Sequence, residues 1–186
     1  MKRAIDVACA SAGLLVLAPV AMVIALAVVA TSRGPALYWS DRSGRHGNVF
    51  RMPKFRTMQV GTPALATDKL ANARSHLTAI GGFLRATSLD EIPQFWSILR
   101  GDMSIVGPRP ALFNQHDLIR RRREMGIDAL RPGLTGWAQV NGRDHASEDR
   151  TIELDSEYLK RASLAFDARI MALTVWRVMR RDGVAH

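Results

Sequence analysis

A chain of 186 residues with 47% hydrophobic and 23% charged side chains can bury one sizeable core but not two full domains, and its composition excludes a disordered, collagenous or low-complexity protein. Its 26 Lys and Arg against 17 Asp and Glu leave a formal charge of +9, which favours nucleic acid, anionic lipid headgroups or phosphorylated small molecules without choosing among them. The single cysteine, Cys9, excludes an intramolecular disulfide and a cysteine-based zinc site, and fits a cytosolic face.

The segment from Ala12 to Ala30 carries no charged side chain and is long enough for a membrane helix. Lys2 and Arg3 precede it and Arg33 follows it, so the positive-inside bias favours sending neither end across. Pro19 lies near the centre of the run, where it removes a backbone donor and clashes with the preceding turn, so a straight helix is disfavoured and a bend, the membrane helix break, is expected there. A re-entrant helix that dips into one leaflet and returns is the leading expectation. A spanning anchor and a cleaved signal peptide, the latter suggested by Ala25-Leu26-Ala27, are the alternatives. The chain divides accordingly into a membrane segment, residues 1–33, and a cytosolic-face domain, residues 34–186.

After Gly34-Pro35, residues Ala36 to Ser40 and Val49 to Phe55 read as two strands of a β-hairpin joined by a turn through Ser43 to Gly47. Residues Gln59 to Ser75 lack a period and read as a surface loop. From Leu89 to Leu99, apolar residues at intervals of three and four predict an amphipathic helix, with Ser88 and Glu91 as a capping box and Gly101 as its stop. Pro93 is awkward in that helix. Leu112 to Met125 predicts another helix, Arg131 to Arg143 an ordered loop, and Ser163 to Arg181 a last helix whose mixed apolar and basic faces suit a membrane interface. The expected class is α+β, a monotopic membrane protein with a re-entrant N-terminal helix, a hairpin and several amphipathic interfacial helices.

Asp90 and Glu91 are adjacent carboxylates at an expected helix start, where exposed N–H groups stabilise anions and lower carboxylate pKa values. An ionised aspartate there can attack phosphorus, and two neighbouring anions facing a diphosphate call for a divalent cation, Mg²⁺ with oxygen ligands. The same two residues equally fit ordinary helix capping. Lys54, Arg56, Arg85 and Arg109 are candidate phosphate ligands if the fold brings them together. The run Arg120 to Arg123 reads as a solvated face or an anchor on anionic lipid. Trp137 offers a stacking surface for a nucleobase, with core packing as its competing role. The five histidines show no metal-ligand spacing, and the glycine patterns of P-loop and dinucleotide-binding enzymes are absent from the sequence.

Taken in order, Lys54 to Met58 (KFRTM), Thr87 to Gln94 (TSLDEIPQ), Gly101 to Pro110 (GDMSIVGPRP) and Arg131 to Arg143 (RPGLTGWAQVNGR), behind a basic-apolar-Pro-apolar N-terminus, closely resemble the bacterial sugar transferases, the monotopic phosphoglycosyl transferases. The resemblance covers nearly the whole chain and looks like the minimal form, without further transmembrane helices. It implies transfer of a sugar-1-phosphate from a UDP-sugar to undecaprenyl (polyprenyl) phosphate at the cytoplasmic face of the bacterial inner membrane, with UMP released. It implies that Asp90 is the nucleophile of a covalent phosphosugar intermediate and that Glu91 assists through Mg²⁺ or a proton. Lys54, Arg56, Arg85 and Arg109 would then lie near the phosphates, and Trp137, Gln139, Asn141 and Arg143 near the nucleotide or sugar. One departure stands out: Ala18-Pro19 replaces the Ser-Pro common at the helix break, so the hydroxyl that could satisfy a freed carbonyl is missing. A membrane-tethered basic protein that binds nucleic acid or acidic lipid through Arg120 to Arg123 and the C-terminal arginines, without catalysis, is the rival from another class. Interleaved aromatic and basic residues of the single-strand binders are lacking, so no nucleic-acid partner is expected.

Overall fold

The apolar run forms the middle of one helix, α1 (Lys2–Thr31), in a computed structural model of the chain that describes residues 1–65, 70, 72–142 and 147–180. The helix is about 45 Å long at 1.5 Å per residue. Pro19 lies inside this helix, where the backbone donor it lacks leaves one carbonyl of the preceding turn without its usual hydrogen bond. One face, through Ala10, Ile24 and Val28, is buried against the rest of the chain, and Gly13 lies against the Phe95 ring. The opposite face is bare, with Leu15 and Val16 79% and 72% exposed and Met22, Val23 and Leu26 open as well. A core helix of a water-soluble domain does not leave such a stripe uncovered.

Both ends of α1 are tied to the same body. At the N-terminal end, Lys2 donates to Asp167 (2.6 Å) and to the Val106 carbonyl (3.1 Å), Arg3 donates to the carbonyls of Ile98 and Leu99, and buried Asp6 accepts from Ser104 Oγ and the Ile105 amide. The basic residues read as flanking charges are thus partly consumed in internal bonds. At the other end Arg56 donates to the carbonyls of Ser32 and Pro35 (3.0 and 2.7 Å).

The hairpin forms as expected, β1 (Leu37–Ser43) pairing antiparallel with β2 (Val49–Phe55), the first strand ending three residues beyond its sequence signal. Between residues 81 and 100 come a short helix α2 (Gly81–Ala86), a 3-10 turn at Leu89–Glu91, and α3 (Gln94–Arg100). The single helix expected over 89–99 is therefore split, and Pro93 gives the reason: it sits just before α3, where its missing N–H costs nothing. Ser88 makes no side-chain cap but adopts the left-handed conformation, φ 56°, that turns the chain into the 3-10 turn. Gly101 does end α3, with φ 93°.

The glycine-rich stretch is not a loop. Gly133–Thr135 forms β4, parallel to β3 (Ser104–Val106), and Trp137–Asn141 forms α5. Gly107, Gly133 and Gly136 let these backbones meet, since a Cβ on Gly133 would collide with the backbone of Gly107 and Thr135. Gly133→Ala is expected to cost roughly 1–3 kcal/mol of stability from this overpacking, read as a lowered thermal midpoint. The remaining helices are α4 (His116–Glu124), α6 (Glu148–Arg161) and α7 (Leu164–Arg180). Phe166 and Ile170 of α7 pack with Val106, Val140 and Tyr158, while Val175, Trp176 and Val178 stay exposed on its outer side. Helices and small sheets are mixed as an α+β class requires.

Candidate active site

Hydrophobic anchors set the position of the two carboxylates. Ile92 is buried with Phe55, Leu84, Ile24 and Val28, and Leu89 packs on the same cluster, so the turn carrying Asp90 and Glu91 is wedged between the end of β2 and the membrane-type helix α1. On β2, Lys54 stands one residue before Phe55 and points to the other face of the strand. Its ammonium lies 2.7 Å from Glu91 Oε1 and 3.8 Å from Asp90 Oδ2. Arg109, on the Gly107-Pro108-Arg109-Pro110 connector, brings Nη1 to 3.7 Å from the same Glu91 oxygen and keeps its side chain about half exposed.

The electrostatics separate the two acids. Burial raises the pKa of Asp90, and Glu91 raises it further, against the lowering influence of Lys54, Arg85 and Arg109. Burial also opposes ionisation of Glu91, but Lys54 and Arg109 outweigh it and hold that carboxyl at about 2. The expected dipole effect of a helix start is corrected: the dyad sits on a 3-10 turn before α3, and desolvation dominates at Asp90. Asp90 is thus a poorly solvated carboxyl beside a neighbour, Glu91, that pairs with the cations.

Of the four cations singled out in the sequence, three converge. Lys54 and Arg109 touch the dyad, and Arg85, whose Nε donates to Thr57 Oγ1 at 3.0 Å, adds to the field at Asp90. Arg56 does not join them: it is buried and its donors reach the carbonyls that follow α1, a structural task that its position just past the strand end imposes. A fourth cation was missed. Arg42 of β1 lines the narrow cleft shared by Lys54, Glu91, Gln94 and Arg109, and donates to Ser40 Oγ (2.9 Å) and the Pro110 carbonyl (3.1 Å). Burial and then the nearby Arg109 lower its pKa to about 10. The hairpin register held the signal, because Tyr38 pairs with Lys54 and every second residue from Tyr38 to Arg42 faces the same way. Gln94 is buried in this cleft beside Glu91, and its side-chain amide helps to lower the Glu91 pKa.

The expected nucleotide contacts fare differently. Trp137 donates to Glu157 (2.8 Å), packs on Phe166 and is flanked by Arg161 and Arg169, so packing claims its faces. Gln139 donates to the Leu134 carbonyl and Asn141 to the Trp137 carbonyl, both within their own segment. Arg143 lies outside the described residues.

The basic run of α4 is largely a solvated face, one of the two readings offered for it, with Arg122 as the buried exception. Arg120 pairs with Asp117 and Glu124, Arg121 with Asp149, Arg123 with Asp128, and Arg122 is buried against Asp155. Each of the four has an acidic partner within the chain, and Arg122 alone of them is buried.

With this geometry in view, the comparisons with known proteins are specific. The model of the family described as bacterial sugar transferase matches residues 1–181. The chain belongs to the bacterial sugar transferase family. Within it, the chain is 39% identical over 184 residues to the UDP-glucose:undecaprenyl-phosphate glucose-1-phosphate transferase of Escherichia coli K12, covering 95% of this chain and 40% of that protein. It is 36% identical over 198 residues to the undecaprenyl-phosphate galactose phosphotransferase of Salmonella typhimurium, covering 98% and 41%. With the UDP-glucose:undecaprenyl-phosphate glucose-1-phosphate transferase of Xanthomonas campestris pv. campestris the identity is 42% over 169 residues, covering 87% and 35%. This sugar transferase chain therefore spans about two fifths of the length of these relatives.

Proposed function

We propose that the chain is a phosphoglycosyl transferase that moves a sugar-1-phosphate from a UDP-sugar to undecaprenyl phosphate in two displacements. The observation that carries this reading is the pairing of a buried Asp90 with an ionised Glu91 among Lys54, Arg85 and Arg109, on a turn packed against α1. In the first displacement an Asp90 carboxylate oxygen attacks the sugar-bearing phosphorus. The bond from that phosphorus to the bridging oxygen breaks, and UMP leaves with the electron pair. In the second, an oxygen of the lipid phosphate attacks the same phosphorus and frees Asp90. Lys54 and Arg109 hold the diphosphate oxygens and oppose the charge that grows on the leaving group.

The chemistry of the donors suits Mg²⁺ in a restricted sense. Among the described residues no group of three or more His, Cys, Asp and Glu could hold a metal, and Glu91 Oε1 is engaged by Lys54. Asp90 and Glu91 would hold Mg²⁺ only together with donor phosphate oxygens, a common arrangement for this ion. When bound it would neutralise charge on the diphosphate.

The bare apolar face of α1 and the anchoring of both its ends in one body support a re-entrant helix seated in the cytoplasmic leaflet of the inner membrane, with Asp90 at the depth where dissolved donor and membrane-held acceptor meet. The test is a donor panel of UDP-glucose, UDP-galactose and N-acetylated amino-sugar donors, run with polyprenyl phosphate and Mg²⁺ and read as released UMP. One donor should release UMP and label the lipid; release from none of them refutes the proposal.

A further inference from the structure

The connector that carries Arg109 has an unusual supply of hydrogen bonds. Pro108 and Pro110 flank Arg109 and have no N–H to offer, and the connector's carbonyls accept from donors elsewhere in the chain. Each of four successive carbonyls is met. Gly133 N donates to Pro108 (2.9 Å), Arg122 Nη1 to Arg109 (2.8 Å), Arg42 Nη1 to Pro110 (3.1 Å) and Ser43 N to Ala111 (2.9 Å). The backbone under Arg109 is thus fixed while its side chain stays half exposed beside Glu91.

Arg122 is the member of this set whose own position is most tightly determined. It is buried, and both Nε and Nη2 donate to Asp155 Oδ2 of α6, at 3.1 and 2.6 Å. Two of its three guanidinium nitrogens are spent on Asp155, and the third reaches the Arg109 carbonyl. A planar fork can do both at once, whereas an ammonium on a flexible stem cannot span the two acceptors in one fixed geometry. Burying this ion pair is costly, and a pair of well-packed apolar residues commonly gives equal or greater stability.

We infer that Arg122, locked by Asp155, is a positioning residue for the transfer reaction: it fixes the carbonyl of Arg109 and so sets the distance of that guanidinium from the donor diphosphate. This rests on the proposed function, in which Arg109 binds donor phosphate. Arg122 itself touches neither substrate nor the dyad; its effect passes through the connector backbone.

The experiment uses the full chain in detergent or nanodiscs with Mg²⁺, polyprenyl phosphate and either UDP-glucose or UDP-galactose as donor. Arg122→Lys should raise the donor KM on the order of tenfold with kcat within about twofold, the size of loss expected when a binding group is displaced without being removed. The paired replacement Arg122→Met with Asp155→Leu should restore or exceed the wild-type thermal midpoint and still show the raised KM. A stable pair with a wild-type KM would mean that Arg122 serves the fold alone and would overturn the inference; if the pair does not fold, the KM of Arg122→Lys decides on the same criterion. Combining Arg122→Lys with Arg109→Ala should raise KM no further than Arg109→Ala alone, and multiplied losses would also overturn it. Arg109→Ala by itself separates the two levels. If it leaves the donor KM unchanged, the role given to Arg109 fails; if it raises KM while Arg122→Lys does not, only the positioning role fails.

Discussion

Asp90→Asn should lower turnover by on the order of a thousandfold or more, as removal of a nucleophile does in covalent catalysis, while the protein melts at or above the wild-type temperature. The two halves of this expectation have one cause. Asp90 is buried, and its pKa is raised chiefly by that burial. A group whose folded pKa lies above its unfolded value contributes most to stability at low pH, and that contribution is lost as pH rises through the folded pKa. At neutral pH the ionised carboxylate is therefore a burden on the fold, and a neutral amide of the same shape relieves it. Turnover by Asp90→Asn above about a tenth of wild type would exclude a covalent role, a margin far outside what a mere loss of positioning leaves. A lowered midpoint would show instead that Asp90 pairs with Lys54 strongly enough to stabilise the fold.

Lys54→Met should cost roughly 10²–10³ in kcat/KM, the range found when one charge-stabilising group is removed from a transition state. It should also move the acid limb of the pH–rate profile upward. Lys54 is the leading influence that lowers the Asp90 pKa against burial, so without it Asp90 needs a higher pH to ionise. Glu91 responds too. Its pKa, held at about 2 from an ordinary 4.5, means that its pairing stabilises the fold above about pH 4.5 and that this contribution is lost as pH falls toward 2. Removal of Lys54 narrows that window, so the variant should unfold at a higher pH during acid titration. An acid limb that stays in place would show that Lys54 does not set the ionisation of Asp90.

Particular residues show where the sequence was readable and where it was not. The β-hairpin, α7 and the Gly101 stop were legible because alternation, helical period and a left-handed glycine are local signals. The dyad was legible as a motif, but its chemistry was not: a helix start lowers carboxylate pKa values, whereas the observed turn buries Asp90 and raises its value. Burial depends on Ile24, Val28 and Phe55 arriving from elsewhere in the chain, which no local window reveals. The parallel pairing of Gly133–Thr135 with Ser104–Val106 was missed because the glycines that normally signal a loop here allow two backbones to touch. For Arg56, Arg121 and Arg122 the partner that claims the side chain is distant in sequence, so no local window shows it. Arg42 was overlooked for the converse reason, since only the register of the hairpin turns it toward Lys54.

The covalent step at Asp90 is the claim on which the mechanism depends, and peptide mass spectrometry tests it most directly. The wild-type chain, incubated with its UDP-sugar and Mg²⁺ but without polyprenyl phosphate, should release about one equivalent of UMP and carry a phosphosugar on the peptide containing Asp90, which disappears when polyprenyl phosphate is added. UMP released only when donor and acceptor are both present, with the Asp90 peptide unmodified at every time point, would contradict the account and assign the reaction to direct transfer.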